Sequence, residues 1–417
     1  MLGLAAAGFA GYRYWPEDGF FNPCLNAELP EYLANHDVVL KAWEGIDPNL
    51  CWDGHVHLIG LGSDNSGIQV HPGMRSIWHP VRYTQFKFYL NASCVTDDAH
   101  ADSEFVERLL AINATMPKGW KTLLMAFDWY HDESGQPVPD KSTYFTPNDY
   151  AMSIAARYPE QFEWIASIHP YREDSIEALE QAASLGARAV KWLPPAMGID
   201  PASSKCDRFY EALVNKDLPL ISHGGDEKAV HVEDTQHLGN PLRLRRALDH
   251  GVRVIVAHSA SLGSSVDLDQ GQQGQTLPNT ELFFRMMNEP RYEHRLYGEI
   301  SAITQLNRFD PGLIRRLMHP DWQDRLINAS DYPLPGVMPL FSVRQIYRHG
   351  LVTDEEAQVI LAIRRHNPVL FDFVLKRTLR AGSSQFSPSV FHTRHMFDNR
   401  SQIGLISESG GGGKQSG

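Results

Sequence analysis

The chain is poor in several features that would mark particular function classes. It has 4 cysteines in 417 residues, at Cys24, Cys51, Cys94 and Cys206, with no CxxC pair and far less cysteine than a small disulfide scaffold needs. Cysteine pairing is therefore not expected to explain the fold. Long basic blocks are missing too, and 38 Lys plus Arg stand against 50 Asp plus Glu, a formal net charge of −12. That balance excludes nucleic acid as an expected partner. No apolar run reaches the roughly 20 residues that span a bilayer as a helix, so no integral membrane span is expected. After the first strand-like segment there is no glycine-rich phosphate loop of the kind an open dinucleotide-binding sheet carries.

What the chain does have is alternation. Short apolar runs rich in β-branched or aromatic residues read as strands at 50–58, 122–129, 162–169, 187–193, 219–223, 253–258, 296–301 and 325–330. Helical spacing follows at 148–158, 174–185, 207–215, 241–249, 280–288 and 311–318. Eight strand–helix units predict an α/β fold, a (β/α)8 barrel, with a loop inserted after the first strand. That insertion, 60–100, carries Trp78, Tyr83, Phe86 and Tyr89, which read either as a lid over the mouth or as rim packing. Thr353 to Leu379, interrupted by Pro368, reads as closing C-terminal helices.

The expected organisation is an N-terminal arm at 1–49, the barrel at 50–380 and a C-terminal tail at 381–417. Leu2 to Ala10 is a short apolar stretch, either a remnant of a signal or anchor or a loosely packed arm. The compartment is accordingly left open between cytoplasmic and periplasmic or membrane-associated. Ser407 to Gly417 is rich in Gly and Ser and reads as disordered.

The chemistry concentrates at strand ends. Asp53-Gly54-His55-Val56-His57 puts two imidazoles two residues apart, and strand alternation sends both to one face. His223 ends the fifth strand, His258 ends the sixth, and Asp331 follows the eighth in Ser330-Asp331-Tyr332-Pro333. In a barrel the C-terminal ends of the strands converge on one mouth, so these five side chains are expected to meet.

With that order of residues the chain resembles the amidohydrolase superfamily, from about Leu50 to Leu379. Ser330-Asp331-Tyr332-Pro333 and His366-Asn367-Pro368 resemble its amidohydrolase-2 branch in particular. The resemblance implies a divalent metal, most often zinc, on His55, His57 and His223, with Asp331 as a ligand or as the base and His258 assisting. Lys191, at the end of the fourth strand, implies a second metal only if its amine is carboxylated; as a plain ammonium it has no lone pair and reads instead as a group for a substrate carboxylate. One ion is expected, or two with that bridge. Trp192, His169 and Tyr130, each near a strand end, are further substrate-binding candidates. The implied activity is hydrolysis of an ester, lactone or amide carbonyl by metal-activated water. The alternatives are non-oxidative decarboxylation or hydration of a carboxylic acid and, last, a barrel that binds without catalysis. The expected partner is a small-molecule substrate, and a homodimer is left open.

Overall fold

The computed structural model describes residues 16–230 and 234–398. The readings made for Leu2 to Ala10 and for Ser407 to Gly417 lie outside the described residues. All eight expected strands form: β1 (Trp52–His57), β2 (Lys121–Met125), β3 (Phe162–Ile165), β4 (Val190–Trp192), β5 (Leu220–His223), β6 (Val254–Ala257), β7 (Leu296–Glu299) and β8 (Leu326–Ile327). Every ladder among them is parallel. Regular pairing gives two sheets, β1-β2-β3 and β4-β5-β6-β7-β8. Single parallel bridges, Ala166 to Val190 and Val56 to Tyr332, join them at both edges. The chain is thus an α/β protein of the TIM-barrel class. The strands are shorter than the apolar runs that announced them, and in β2, β3, β7 and β8 the last residues of the run leave the ladder toward the mouth.

Alternation along the strands separates stability from chemistry. Leu123, Ile165, Ala189, Ile221, Ile255 and Ile327 form one buried cluster inside the barrel. Two residues further along β4, β5 and β7 stand Lys191, His223 and Glu299, on the same face but toward the mouth. On β1 the phase is adjusted. Asp53 pairs with Thr122 while Val56 pairs with Leu124, so three steps on β1 face two on β2. That extra residue, a bulge, lets Trp52 belong to the interior cluster while His55 and His57 also line the cavity above it.

The opposite end of the barrel is closed by residues that the boundary at 380 assigns to the tail. A short helix, Arg394–Phe397, seats Met396 and Phe397 in the interior cluster. The Phe397 ring lies against Gly54, where an added Cβ would come within 2.5 Å of it.

The 60–100 segment is not a bare loop. It contains helix α1 (Pro80–Ala92), whose Phe86 and Tyr89 are buried, whereas Trp78 is 85% exposed. The aromatics therefore divide, with Tyr89 lining the cavity and Trp78 standing in solvent. A second helix, α2 (Ala101–Ala114), buries Phe105, Leu109 and Ile112 on one face; the sequence prediction lacks it although that spacing is helical. The closing region forms α3 (Asp354–Arg364), opened by a Thr353/Glu356 capping box, and α4 (Pro368–Thr378), where Pro368 occupies the first turn and Asn367 caps.

Cysteine does contribute, contrary to expectation. Cys24 and Cys94, 70 residues apart, form a disulfide that fastens the N-terminal segment to the end of α1. The pairing has no local spacing signature, which is why composition did not expose it.

Candidate functional site

A cavity of about 150 Å³ opens at the C-terminal ends of the strands, and its lining includes His55, His57, Lys191, His223, His258 and Asp331. Six of the expected site residues are therefore brought together. His55 Nε2 lies 3.2 Å from His57 Nε2. Asp331 Oδ1 is 3.5 Å from the first of these nitrogens and 3.4 Å from the second. Asp331 reaches this point from a left-handed backbone conformation, φ 61°, unusual for a residue other than glycine.

Glu299 explains what that triangle is for. Its two carboxylate oxygens are 2.9 and 3.0 Å from His55 Nδ1, and both residues are buried. The Nδ1–H donates to the carboxylate, so Nε2 keeps a lone pair directed at His57 and Asp331. Two acceptor atoms, His55 Nε2 and Asp331 Oδ1, then face one another beside His57 Nε2, an arrangement that a shared cation reconciles. Two nitrogens bound to one tetrahedral zinc at about 2.05 Å are about 3.3 Å apart, close to the observed edges. His55, His57 and Asp331 thus fit a metal in both donor chemistry and spacing.

The network continues past Glu299. The Ser301 hydroxyl donates to Glu299, and His258 Nδ1 lies 2.7 Å from the Ser301 oxygen. The serine oxygen accepts from His258 Nδ1–H, leaving a lone pair on His258 Nε2. Burial, and next the charge of Arg308, push the His258 pKa well below its ordinary value, so the ring is neutral. Its free nitrogen can accept a proton or ligate. Burial likewise holds His55 well below the usual imidazole range, with Lys191 adding to it, and raises the pKa of Glu299.

His223 is in the cavity but outside the ligand triangle. Its Nε2–H donates to the Asp226 carbonyl at 3.2 Å, and its Nδ1 is 3.4 Å from Glu227. Burial pushes the His223 pKa down to about 3, with the nearby Arg308 as the next cause. Lys191 Nζ is 3.2 Å from His55 Nε2, and burial lowers its pKa from the ordinary lysine value. It stands at the edge of the triangle, placed for either of its two expected roles.

Three substrate-binding candidates are not in the cavity. Trp192 is fully buried against Phe209 and Tyr210, and its indole N–H donates to the Ile168 carbonyl, because alternation turns it opposite to Lys191 and out to the helices. His169 is buried beside Met197 O and the Tyr171 backbone N–H. Tyr130 lines a separate pocket with His71, Arg82 and Lys141. Conversely, sequence reasoning passed over Gln85, Tyr144, Gln305 and Arg308, all of which line the cavity. Gln85 and Tyr89 donate to the Ala229 carbonyl, tying α1 to the segment after β5. The available signal for Gln305 and Arg308 was position, since both follow β7 at the catalytic end of the barrel.

The family model for amidohydrolases matches residues 130–343. No curated protein matches. Among solved structures, an uncharacterised TIM-barrel protein of Bordetella bronchiseptica shares 14% identity at TM-score 0.43, covering 69% of this chain and 88% of that one. A 4-oxalomesaconate hydratase of Rhodopseudomonas palustris shares 12% at TM-score 0.41, covering 86% and 99%. A 5-carboxyvanillate decarboxylase of Novosphingobium aromaticivorans, complexed with manganese, shares 14% at TM-score 0.42, covering 78% and 93%. The family match takes in β3 to β8 with Lys191, His223, His258, Glu299 and Asp331, and the chain belongs to the amidohydrolase family of metal-dependent enzymes.

Proposed function

We propose that the chain is a metal-dependent hydrolase acting on an ester, lactone or amide carbonyl of a small molecule. The observation that carries this reading is the convergence of His55 Nε2, His57 Nε2 and Asp331 Oδ1 at the base of a largely apolar cavity. These three residues would hold one divalent cation, with zinc suited to two imidazoles and a carboxylate. Bound there, the cation lowers the pKa of water toward about 7 and polarises a carbonyl.

The protein's own groups do the remaining work. Glu299 fixes the His55 tautomer and holds the ring in place. Asp331, with its carboxylate at the cavity, takes the proton as the water oxygen bonds to the carbonyl carbon, and returns it to the leaving oxygen or nitrogen as that bond breaks. His258 stands beside the aspartate, its Nδ1 4.0 Å from Asp331 Oδ2 and its Nε2 lone pair left to take up a proton. Apolar walls including Leu58, Phe127 and Leu340 limit water, which strengthens each of these electrostatic contacts.

Elemental analysis of protein purified without chelator, together with turnover of a panel of lactones, esters and amides, tests the proposal. One bound divalent ion per chain, unchanged in Lys191→Ala, and cleavage of at least one panel class are expected. Two ions falling in that variant would assign Lys191 as a carboxylated bridge. A folded chain that takes up no divalent ion, or one that releases carbon dioxide from acids and cleaves nothing, overturns it.

A further inference from the structure

Exposed apolar surface is concentrated at one place on the molecule. Among the described residues the two most exposed large apolar side chains are Trp78, at 85%, and Val81, at 79%, with Ile77 beside them at 67%. Val81 lies in the first turn of α1, and Ile77 and Trp78 stand just ahead of it. Seven residues beyond Val81, and so on the same helix face, Phe88 carries the ring of Phe21 stacked on it at 5.5 Å between centroids. Phe21 is itself 63% exposed. The Cys24–Cys94 bond closes this arrangement, three residues after Phe21 and two after the end of α1, so the apolar ridge rides on one covalently fastened unit. Single exposed apolar residues are ordinary, whereas a contiguous set of them marks an interaction surface. The charge of the segment is also opposite to that of the chain. From Asn65 to Thr96 there is no Asp or Glu, while Arg75, Arg82 and Lys87 stand there in a chain of formal net charge −12. Arg75 is exposed and Arg82 half-buried, and Lys87 reaches Asp98 at 3.5 Å.

We infer that this ridge is a docking surface for a lipid bilayer bearing anionic headgroups. An apolar centre flanked by Arg and Lys is the pattern of surfaces that lie in the membrane interface: the apolar side chains enter the acyl boundary, and the cations meet headgroup phosphates. Trp78 is of the residue type that settles at headgroup level, with an apolar ring and a polar N–H. The mode is peripheral, since no helix among the described residues is long and apolar enough to cross a membrane. A second copy of the chain fits the ridge less well, because a two-fold interface would set the surface against itself and bring cation onto cation. The ridge is also close to the barrel mouth. Gln85 and Tyr89, one and two turns beyond Val81 on the same helix, line the cavity and donate to the Ala229 carbonyl. Docked through α1, the chain presents that cavity at the bilayer surface, whichever reaction the cavity performs.

The test is cosedimentation of the full chain with vesicles of phosphatidylglycerol and phosphatidylcholine in equal parts, and with vesicles of phosphatidylcholine alone. Saturable binding to the anionic vesicles is expected, weaker on the neutral ones and weakened by added salt. Ile77→Ser/Trp78→Ser/Val81→Ser should lower the partition coefficient at least about tenfold on the anionic vesicles, with the melting temperature unchanged because these side chains already face solvent. Should that variant not fold, as read by circular dichroism, Trp78→Ala alone carries the test, with a loss of at least about threefold. Arg75→Gln/Arg82→Gln should cost about fivefold for each cation on anionic vesicles and leave binding to neutral ones within about twofold. Failure of the chain to bind anionic vesicles overturns the proposal, as does equal binding to both kinds. Wild-type binding by the folded triple variant, which keeps Leu2 to Ala10, would assign membrane affinity to that stretch and overturn it as well. A chain that is dimeric by sedimentation and becomes monomeric in the triple variant would give the ridge to a second copy instead.

Discussion

Replacing Glu299 by glutamine isolates the contribution of one charge to the metal site. The amide has the size of the carboxylate, so the barrel interior around β7 is not hollowed, and its carbonyl oxygen can still accept from His55 Nδ1–H. What disappears is the negative charge that two oxygens at 2.9 and 3.0 Å now place behind the ring. A carboxylate in that position raises the basicity of the opposite nitrogen, and losing such a partner costs about 10- to 100-fold in metal affinity. At about 1.4 kcal/mol per decade this is about 1.4–2.7 kcal/mol. A second effect acts in the same direction on Lys191. Burial already lowers its pKa, and Glu299 is the largest charge opposing that fall, so the variant drives the lysine further toward the neutral amine. Competition for zinc against a chelator of known affinity reads the first effect, and circular dichroism melting shows that the comparison is between folded proteins. Metal affinity within about threefold of wild type in a folded Glu299→Gln chain would refute the argument that Glu299 sets the donor strength of His55.

His55→Ala/His57→Ala should abolish stoichiometric metal, read by elemental analysis, while the circular dichroism spectrum is retained, because both rings lie above the interior cluster and not within it. Asp331→Asn should keep part of the metal yet lose turnover by at least about 100-fold, since an amide does not take the proton from water; near-wild-type kcat would remove Asp331 from proton transfer. Reducing the Cys24–Cys94 bond, or Cys24→Ser with Cys94→Ser, releases a 70-residue loop and on the chain-entropy model costs up to about 4 kcal/mol. Melting with and without reductant measures this, and identical curves would show that the fastening does not contribute to global stability. Gly54→Ala places a methyl against the Phe397 ring and should cost about 1–3 kcal/mol, with partial recovery in Gly54→Ala/Phe397→Leu; an unchanged melting temperature in the single variant would show that the floor yields.

The strands were legible because each carries a dense apolar run, and the proposed metal pair because His55 and His57 sit in one of them. The order of His223, His258 and Asp331 at later strand ends was equally visible. Side-chain direction was not. Trp192 looked like a mouth residue because it follows Lys191, but adjacent residues on a strand face opposite ways and it packs outward under the helices. His223 carries the expected residue type, and only the structure shows its Nε2 directed at the Asp226 carbonyl. Arg308 and Gln305 lie in an irregular stretch after β7, where no periodicity marks which residues turn inward. Helix α1 mixes Arg, Thr, Gln and Lys with its aromatics and presents no clean apolar stripe, so its segment read as a loop. The Cys24–Cys94 pair depends on two distant segments meeting, which spacing cannot reveal.

The irregularity in β1 makes the placing of His55 and His57 a matter of phase. One extra residue between Asp53 and Val56 reverses which parity faces the barrel axis, so the chain can place an indole at one level and two imidazoles at the next without changing strand. Deleting Gly54 would preserve every histidine in the composition and every apolar side chain, yet turn both rings toward the helices. Loss of function in such a variant would be invisible to any comparison that counts residue types and would appear only in the reading frame of the strand. Point substitutions and single-residue shifts at 53–56 therefore test different properties of this enzyme: the first its donors, the second the register that aims them.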